Sequence, residues 1–211
     1  MNLEVLVEER SAEQALRVLL PRIIAGVEFD VRVFQGKPDL LRKLPDRLKG
    51  YARWIGSADT RLVVLVDRDD EDCLSLKAQL EQMATAAGLS TISSASASKR
   101  VDVANRIAVE ELEAWFFGDV PALCAAYPRV PNSLGNQAKY RDPDGIRGGT
   151  WEALERVLQE CGYHRGGLAK VVAATEIAQY MNIDINRSRS LQVFRDRVRQ
   201  LVVGGTCAEK D

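Results

Sequence analysis

The chain has 211 residues, 46% of them apolar, and its 29 Lys and Arg against 30 Asp and Glu leave a formal net charge of −1. This composition is typical of a globular domain long enough to bury a hydrophobic core. The near-neutral charge gives no overall attraction to nucleic acid or membranes, so such a partner would need a local patch. No apolar run reaches the roughly 18 residues that cross a bilayer, and the first residues carry acids where a signal peptide carries bases. We therefore expect a cytoplasmic protein with no membrane partner.

Residues that usually bind zinc or perform redox chemistry are sparse. The sequence has a single histidine, and its four cysteines stand at least 37 residues apart. These counts exclude the common zinc motifs and paired-cysteine redox motifs. Carboxylates are the abundant side chains that remain for chemistry.

Strand-like apolar runs alternate with helical patterns through the first half of the chain. The strands are predicted at residues 3–7, 29–34, 62–66 and 103–109. A helix is predicted to begin at Ser11, which forms a capping box with Gln14, and another over residues 40–55 is expected to break or kink at Pro45. A third helix is predicted over residues 74–87, closed by Gly88. This alternation predicts an α/β fold with a mostly parallel sheet flanked by helices.

Three segments of different character make up the predicted organisation. Residues 1–128 form the α/β core, with the fully apolar run 62–66 as a central strand. Residues 129–150 are rich in Pro and Gly and are predicted to be a long loop, either functional or mobile. Residues 151–205 are predicted to form two or three helices, a C-terminal helical addition packed on the same domain, and the last few residues a frayed tail.

Acidic residues follow three of the predicted strands. They are Glu8, Glu9 and Glu13 after the first strand, Asp67, Asp69 and Asp70 after the third, and Glu110, Glu111 and Glu113 after the fourth. Ligands of open parallel sheets bind beyond the carboxyl ends of the strands, where these acids would converge. Converging carboxylates repel one another, and a hard cation such as Mg²⁺ or Mn²⁺ relieves this repulsion. The alternative is that these acids only cap helices and solvate turns.

The geometry of the last acidic segment is open at this point. If a helix begins by Val109, Glu110 and Glu113 share one face and Glu111 points sideways. If instead the strand runs through Glu111, then Glu111 and Glu113 converge. Glu113 is a candidate in both cases.

Several segments resemble an uncharacterised bacterial Toprim-like family. They are VLVEERSAE, VVLVDRDDED, EELEAWFFGD, KYRDPDGI and the late IAQYMNI and NRSRSLQVFRDRV segments. The family is related to RloG-like proteins and to the nuclease half of overcoming-lysogenization-defect nucleases. The resemblance covers nearly the whole chain and implies a Toprim-like fold.

The resemblance also implies site residues. The metal ligands it implies are Glu8, Glu13, Asp67, Asp69, Glu111 and Glu113, with Glu8, Asp67, Asp69 and Lys170 taking part in catalysis. Toprim-like proteins usually have Gly after the first Glu, whereas this chain has Glu9, so either Glu8 or Glu9 faces the site. Lys139, in the long loop, is a second candidate for the cation that stabilises the transition state.

Two groups of bases could contact phosphates. Lys37, Arg42, Lys43, Arg47, Lys49 and Arg53 form the first, and Arg187, Arg189, Arg195, Arg197 and Arg199 the second. The alternative for each group is an ordinary solvated helix face. No aromatic residues interleave with either group in a way that indicates a stacking groove for single strands.

Two classes of function follow from these observations. The first is an Mg²⁺-dependent or Mn²⁺-dependent nuclease that hydrolyses phosphodiesters, with nucleic acid as its partner. The second is a non-catalytic module that docks to another protein. The resemblance implies work beside an ATPase in phage defence, and because the chain has no GxxxxGK[ST] loop, that ATPase would be a separate subunit.

Overall fold

The computed structural model describes residues 1–95 and 100–203, and within them the chain forms a four-stranded parallel sheet with helices on both faces. The strands are β1 (Asn2–Val7), β2 (Glu28–Val33), β3 (Thr60–Asp67) and β4 (Val103–Ala108). The helices are α1 (Arg10–Ile23), α2 (Lys37–Ala52), α3 (Cys73–Ala86), α4 (Ala114–Phe117), α5 (Val120–Ala126), α6 (Thr150–Glu160), α7 (Lys170–Tyr180) and α8 (Arg189–Val203). The α/β class, the parallel sheet and the four strand positions are as predicted. Residues 204–205 of the predicted helical addition, and the tail after them, lie outside the described residues.

The strand order is β2-β1-β3-β4, so β1 and β3 are the inner strands and pair directly with each other. The prediction that the run 62–66 is central is confirmed, because side chains of β3 alternate between two hydrophobic clusters. Val63 and Leu65 pack with α1, α7 and α8, whereas Val64 and Val66 pack with α2 and α3. Both faces of the sheet are therefore buried at its centre.

Two predictions about helices are corrected, the break at Pro45 and the capping box at Ser11. Helix α2 continues through Pro45, since Leu40, Leu44 and Leu48 are fully buried on both sides of the proline and anchor the helix to the sheet. Helix α1 begins at Arg10, and its N-cap, Glu9, makes no side-chain capping bond to the backbone. Instead the Ser11 hydroxyl donates to the Glu9 carboxylate, so the predicted capping box does not form.

Residues 129–150 are not a structureless loop. They contain two short 3₁₀ turns, and Leu134, Tyr140 and Ile146 are buried in the same cluster as α1 and α7. The Tyr140 ring stacks on Phe117 at a centroid distance of 5.1 Å. Apolar anchors at wide, irregular spacing leave no periodic signal in the sequence, which explains why the segment reads as a loop.

Neither alternative for the last acidic segment is observed. Strand β4 ends at Ala108, Glu110 adopts a positive φ of 61°, and Glu113 lies at the N-cap of the short helix α4. The chain therefore turns between strand and helix over residues 109–113. No helix in the described residues is both long enough and apolar enough to span a membrane.

A close backbone approach at Gly118 joins the core to the C-terminal helices. The Arg187 N–H donates to the Gly118 carbonyl at 2.9 Å, and the Asn186 side chain donates to the Trp115 carbonyl at 2.8 Å. A Cβ atom at position 118 would collide with the Asn186 amide and lie 2.9 Å from the Ser188 nitrogen. The contact leaves no room for any side chain at this position.

We predict that Gly118→Ala lowers the free energy of unfolding by about 1 to 3 kcal/mol, because Asn186 and the backbone after it must move. Gly56→Ala is the matched control, since a Cβ atom there meets no other atom within 4 Å. Urea unfolding of both variants measures the difference. Equal stability of the two variants would contradict the role assigned to this contact.

Candidate functional site

The candidate site lies at the carboxyl edge of the sheet, where β1, β3 and β4 end side by side. Glu8 follows β1 directly, and Asp67 is the last residue of β3, paired with Ala108 of β4. The backbone segments that follow β3 and β4 remain paired beyond the strand ends, because the Asp69 N–H donates to the Glu110 carbonyl at 2.9 Å. Parallel pairing therefore brings acids from distant parts of the sequence to one place, as predicted. We use "acidic edge" for Glu8, Glu9, Asp67, Asp69 and Glu113.

Glu8 is the acid most closely tied to the neighbouring strand. It is 8% exposed, and its Oε1 accepts a hydrogen bond from the Asp67 N–H at 2.5 Å. Burial raises the pKa of Glu8 to about 7, and the Asp67 N–H and the Lys37 charge only partly oppose that increase. The charge of Glu9 acts on both Glu8 and Asp67, so the two glutamates are both close to the site.

Asp67 is the acid on which the charges of the other four acidic-edge residues act. The residue as a whole is half-buried, but burial of its carboxyl group is the largest cause that raises its pKa well above the ordinary value. Repulsion from Glu8 and then from Glu113 adds to this effect. Protonation of Asp67, or binding of a cation to it, would reduce the repulsion between Asp67 and both Glu8 and Glu113.

Glu113 is the most deeply buried member. It is 1% exposed, and burial raises its pKa to about 7 although the Lys170 charge acts in the opposite direction. Its Oε2 has no hydrogen-bond partner among the described residues. A buried carboxylate oxygen without a partner is costly, and a cation or a protonated group is what satisfies it.

Two lysines border the acidic edge. Lys37, the first residue of α2, is buried, and its Nζ lies 2.7 Å from Asp69 Oδ2 and 3.0 Å from Glu71 Oε1. Burial lowers the pKa of Lys37, but these two carboxylates outweigh it and hold the pKa above its ordinary value. Lys170, the first residue of α7, lies with its Nζ 4.7 Å above the Trp151 ring centroid, and its charge acts on Glu113.

Lys37 belongs to a basic run of the sequence and was not predicted as a site residue. The available signal was its position, because it begins a helix immediately after β2 at the same edge as the acids. Lys170 was a candidate and is found beside Glu113. Lys139 lies elsewhere, 4.5 Å above the Tyr140 ring centroid.

Two predicted ligands hold other partners. Glu111 Oε2 accepts hydrogen bonds from the Thr150 N–H, the Thr150 hydroxyl and the Trp151 N–H, at 2.8 to 2.9 Å. It therefore satisfies the start of α6, a common role for a carboxylate at a helix N-terminus. Glu13 forms an ion pair with Arg17 one turn along α1, at 2.8 Å.

The donor set of the acidic edge fits a hard divalent cation. Its members offer only carboxylate oxygens, the ligands that Mg²⁺ and Mn²⁺ prefer, and one of those oxygens is buried without a partner. Among the described residues, no three acidic, histidine or cysteine side chains are preformed as a metal site. The carboxylates therefore lie at one edge of the sheet without a preformed coordination geometry, and the Glu8 carboxylate is bound by the backbone N–H of Asp67.

Comparison with known proteins identifies the family of this chain and does not identify its function. The model of a domain of unknown function, DUF4276, matches residues 7–201. The chain belongs to the DUF4276 family. No curated protein and no solved structure matches it. The region shared with the DUF4276 model contains every residue of the acidic edge and both bordering lysines.

We predict that this DUF4276 domain loses stability as the pH rises from about 4.5 to about 7 in the presence of a chelator. Glu8 and Glu113 have folded-state pKa values of about 7 against an ordinary 4.5, so the folded state binds protons more tightly than the unfolded state. Their penalty is absent below pH 4.5 and complete above pH 7, at on the order of 2 kcal/mol for each group. Thermal unfolding with EDTA across this pH range measures it.

We expect Asp67→Asn to raise the stability of the metal-free domain at pH 8 by on the order of 1 kcal/mol, because it removes the charge that repels Glu8 and Glu113. The control is Asp70→Asn, which changes an exposed neighbour and should leave stability within about 0.5 kcal/mol. If Asp67→Asn lowers stability instead, Asp67 is a structural hydrogen-bond acceptor and the repulsion account is wrong.

Proposed function

We propose that this domain is a metal-dependent phosphodiesterase of Toprim-like architecture that hydrolyses nucleic acid. The observation that carries the proposal is the acidic edge, where buried carboxylates from three adjacent strand ends repel one another between two lysines. A structural cluster of acids would be expected to have its oxygens satisfied by donors, whereas Glu113 Oε2 has none among the described residues. The Toprim-like resemblance of the flanking motifs supports the same chemistry.

Glu8, Asp67 and Glu113 are the residues that would hold Mg²⁺ or Mn²⁺, with Glu9 and Asp69 beside them. When bound, such an ion would supply Lewis-acid stabilisation of the charge that develops on the phosphodiester. Asp69 is also bound by Lys37, so it is suited to hold that lysine in place as well as to add charge. Glu111 would act indirectly, by fixing the turn that carries Glu113 against α6.

Of the two lysines, Lys170 would act on the substrate and Lys37 on the acids around it. Attack by water on phosphorus breaks the bond to the leaving oxygen and concentrates negative charge on the phosphoryl oxygens. Lys170 lies beside Glu113 and is partly exposed, so its ammonium group can reach a phosphate at the edge. Lys37 is buried among acids, and it would hold Asp69 and Glu71 and limit the net negative charge that meets the substrate.

The setting of this activity is proposed from the resemblance. We place the domain in the cytoplasm, beside a separate ATPase subunit, in a system of phage defence. A second function remains, that of a non-catalytic module docking to such an ATPase. The bond from Asp67 N–H to Glu8 and the ion pair of Lys37 with Asp69 favour it, because they show that part of the edge is satisfied by the protein itself.

We predict that Mn²⁺ and Mg²⁺ raise the melting temperature of the wild-type domain, because they bind the folded state at the acidic edge. Glu113→Gln and Asp67→Asn should remove this increase and abolish cleavage, whereas Asp70→Asn should keep both. The measurements are thermal melts with each ion or EDTA, and a cleavage assay on single-stranded and double-stranded DNA and RNA. If neither ion stabilises the wild type and no substrate is cut, the phosphodiesterase proposal fails and the docking module takes its place.

A further inference from the structure

A groove of about 800 Å³ lies between α2 and the edge strand β2. It exists because α2 packs its leucines over the inner strands and leaves the edge strand β2 uncovered on that side. Its floor is formed by β1 and β2 and its wall by one face of α2. A space of this size is large enough for a ligand of nucleotide size.

The floor of the groove is a fixed polar network. Glu4 is 7% exposed, and its carboxylate accepts hydrogen bonds from the Tyr51 hydroxyl at 3.0 Å and from Arg32 Nε at 3.1 Å. This network joins the strands to the wall, since Tyr51 belongs to α2. The floor is therefore held in place before any ligand binds.

The lining of the groove holds four acids and three bases, and the positive excess around it comes from bases on its rim, Arg17, Arg42 and Lys49, which pair with the lining acids. Each acid that lines it is already in an ion pair: Glu4 with Arg32, Glu13 with Arg17, Asp39 with Arg42 and Lys43, and Asp46 with Lys49. Arg47 also lines the groove, and its guanidinium makes no ion pair or hydrogen bond within residues 1–95 and 100–203. A free guanidinium beside neutralised acids is a binding group for an anion such as a phosphate.

An aromatic platform stands at the far end of the same wall. The rings of Tyr51 and Trp54 lie 5.4 Å apart between centroids, and Trp54 is 40% exposed where it borders the groove. The sequence gives no interleaving of aromatic and basic residues that indicates a stacking groove, whereas in the fold Tyr51 and Trp54 line the same groove as Lys43 and Arg47. Aromatic rings next to cations are the components of a surface that stacks bases and binds the backbone of a single strand.

The other end of the groove lies toward the carboxyl end of β1, and its lining includes none of the acidic-edge residues. Gln35 and Glu13 line that end, and the next residue, Gly36, donates its N–H to the Glu8 carbonyl at 2.8 Å. Helix α2 spans the distance from this end to the aromatic rings, a length on the order of 20 Å. A strand lying in the groove would thus lead toward the candidate site.

We propose that this groove binds single-stranded nucleic acid that flanks the phosphodiester at the acidic edge, with a base on Trp54 and a phosphate at Arg47. The inference rests on the proposed function for its substrate class, and it adds that the substrate is single-stranded at this point. Single strands fit the groove because their bases are free to stack on a side chain, whereas those of a duplex are stacked on one another.

Gly50 provides a direct test of the groove. It lies in α2 and lines the cavity, and a Cβ atom there meets nothing within 4 Å. Gly50→Leu fills the space and improves helix propensity, so the variant should fold at least as well as wild type. Gly56→Leu, equally open but outside the groove, is the matched control.

The experiment measures fluorescence anisotropy of labelled oligothymidylate and oligouridylate of about 12 nucleotides in EDTA. We expect the full-length wild type to bind at least one of them more tightly than a duplex of equal length. Gly50→Leu and Arg47→Gln should each weaken binding by about tenfold, while Gly56→Leu and the charge-matched Arg53→Gln should not. The arms with thymidine and uridine show whether the strand is DNA or RNA.

Three outcomes would overturn the groove proposal. The first is that the wild type binds neither single strand, and the second is that all four variants bind them equally. The third is that polyglutamate displaces the labelled oligonucleotide as well as unlabelled oligonucleotide does, which would indicate a surface that binds any polyanion. Because EDTA removes any metal, the result does not depend on cleavage. If the groove binds single strands but no Mn²⁺-dependent cleavage is found, the groove proposal stands and the proposed function fails. If the domain cleaves nucleic acid but Gly50→Leu and Arg47→Gln bind single strands as tightly as wild type, the proposed function stands and the groove proposal fails.

Discussion

The parallel pairing of β1 with β3 is the constraint on which the rest of the site depends. Its register sets Glu8 beside the end of β3, where the Asp67 N–H donates to the Glu8 carboxylate. Two carboxylates so close together and shielded from water repel strongly, and burial alone already raises both pKa values. The hydrophobic packing of the two inner strands keeps the acids there, because separating them would mean opening the centre of the sheet.

Elements far apart in the sequence converge on this edge. Lys37 comes from the start of α2, Glu113 from the turn after β4, and Lys170 from the start of α7. Glu111 fixes the Glu113 turn to the first residues of α6 by three hydrogen bonds. The C-terminal helices are therefore part of the candidate site, in addition to covering one face of the sheet.

Much of the fold could be predicted from local patterns, and much of the site geometry could not. Alternating and continuous apolar runs identify all four strands, and strand ends predict where acids gather, since neither depends on distant contacts. The partners of Glu111 depend on the placement of α6, so the sequence could not reveal them. The pair of Glu13 with Arg17 has the i,i+4 spacing of a helix pair and was a signal that the sequence did contain. Lys37 lies in a basic run of the sequence, and only the fold shows that it pairs with Asp69.

The groove was missed for a related reason. Its cations and aromatic rings come together only when α2 runs unbroken through Pro45, whereas the sequence predicted a break or kink at that residue. Buried leucines on both sides of the proline decide the outcome, because their packing outweighs one lost helical hydrogen bond. Local rules failed where tertiary packing was stronger.

The proposed function requires that the buried carboxylates of the acidic edge bind a divalent cation. The most direct measurement is anomalous diffraction from crystals of the domain grown with Mn²⁺. We expect an anomalous peak at the carboxyl ends of β1 and β3, with Asp67 and Glu113 among its ligands. A well-ordered edge without a peak, with the Glu8 carboxylate still bound to the Asp67 N–H and Lys37 to Asp69, would contradict it.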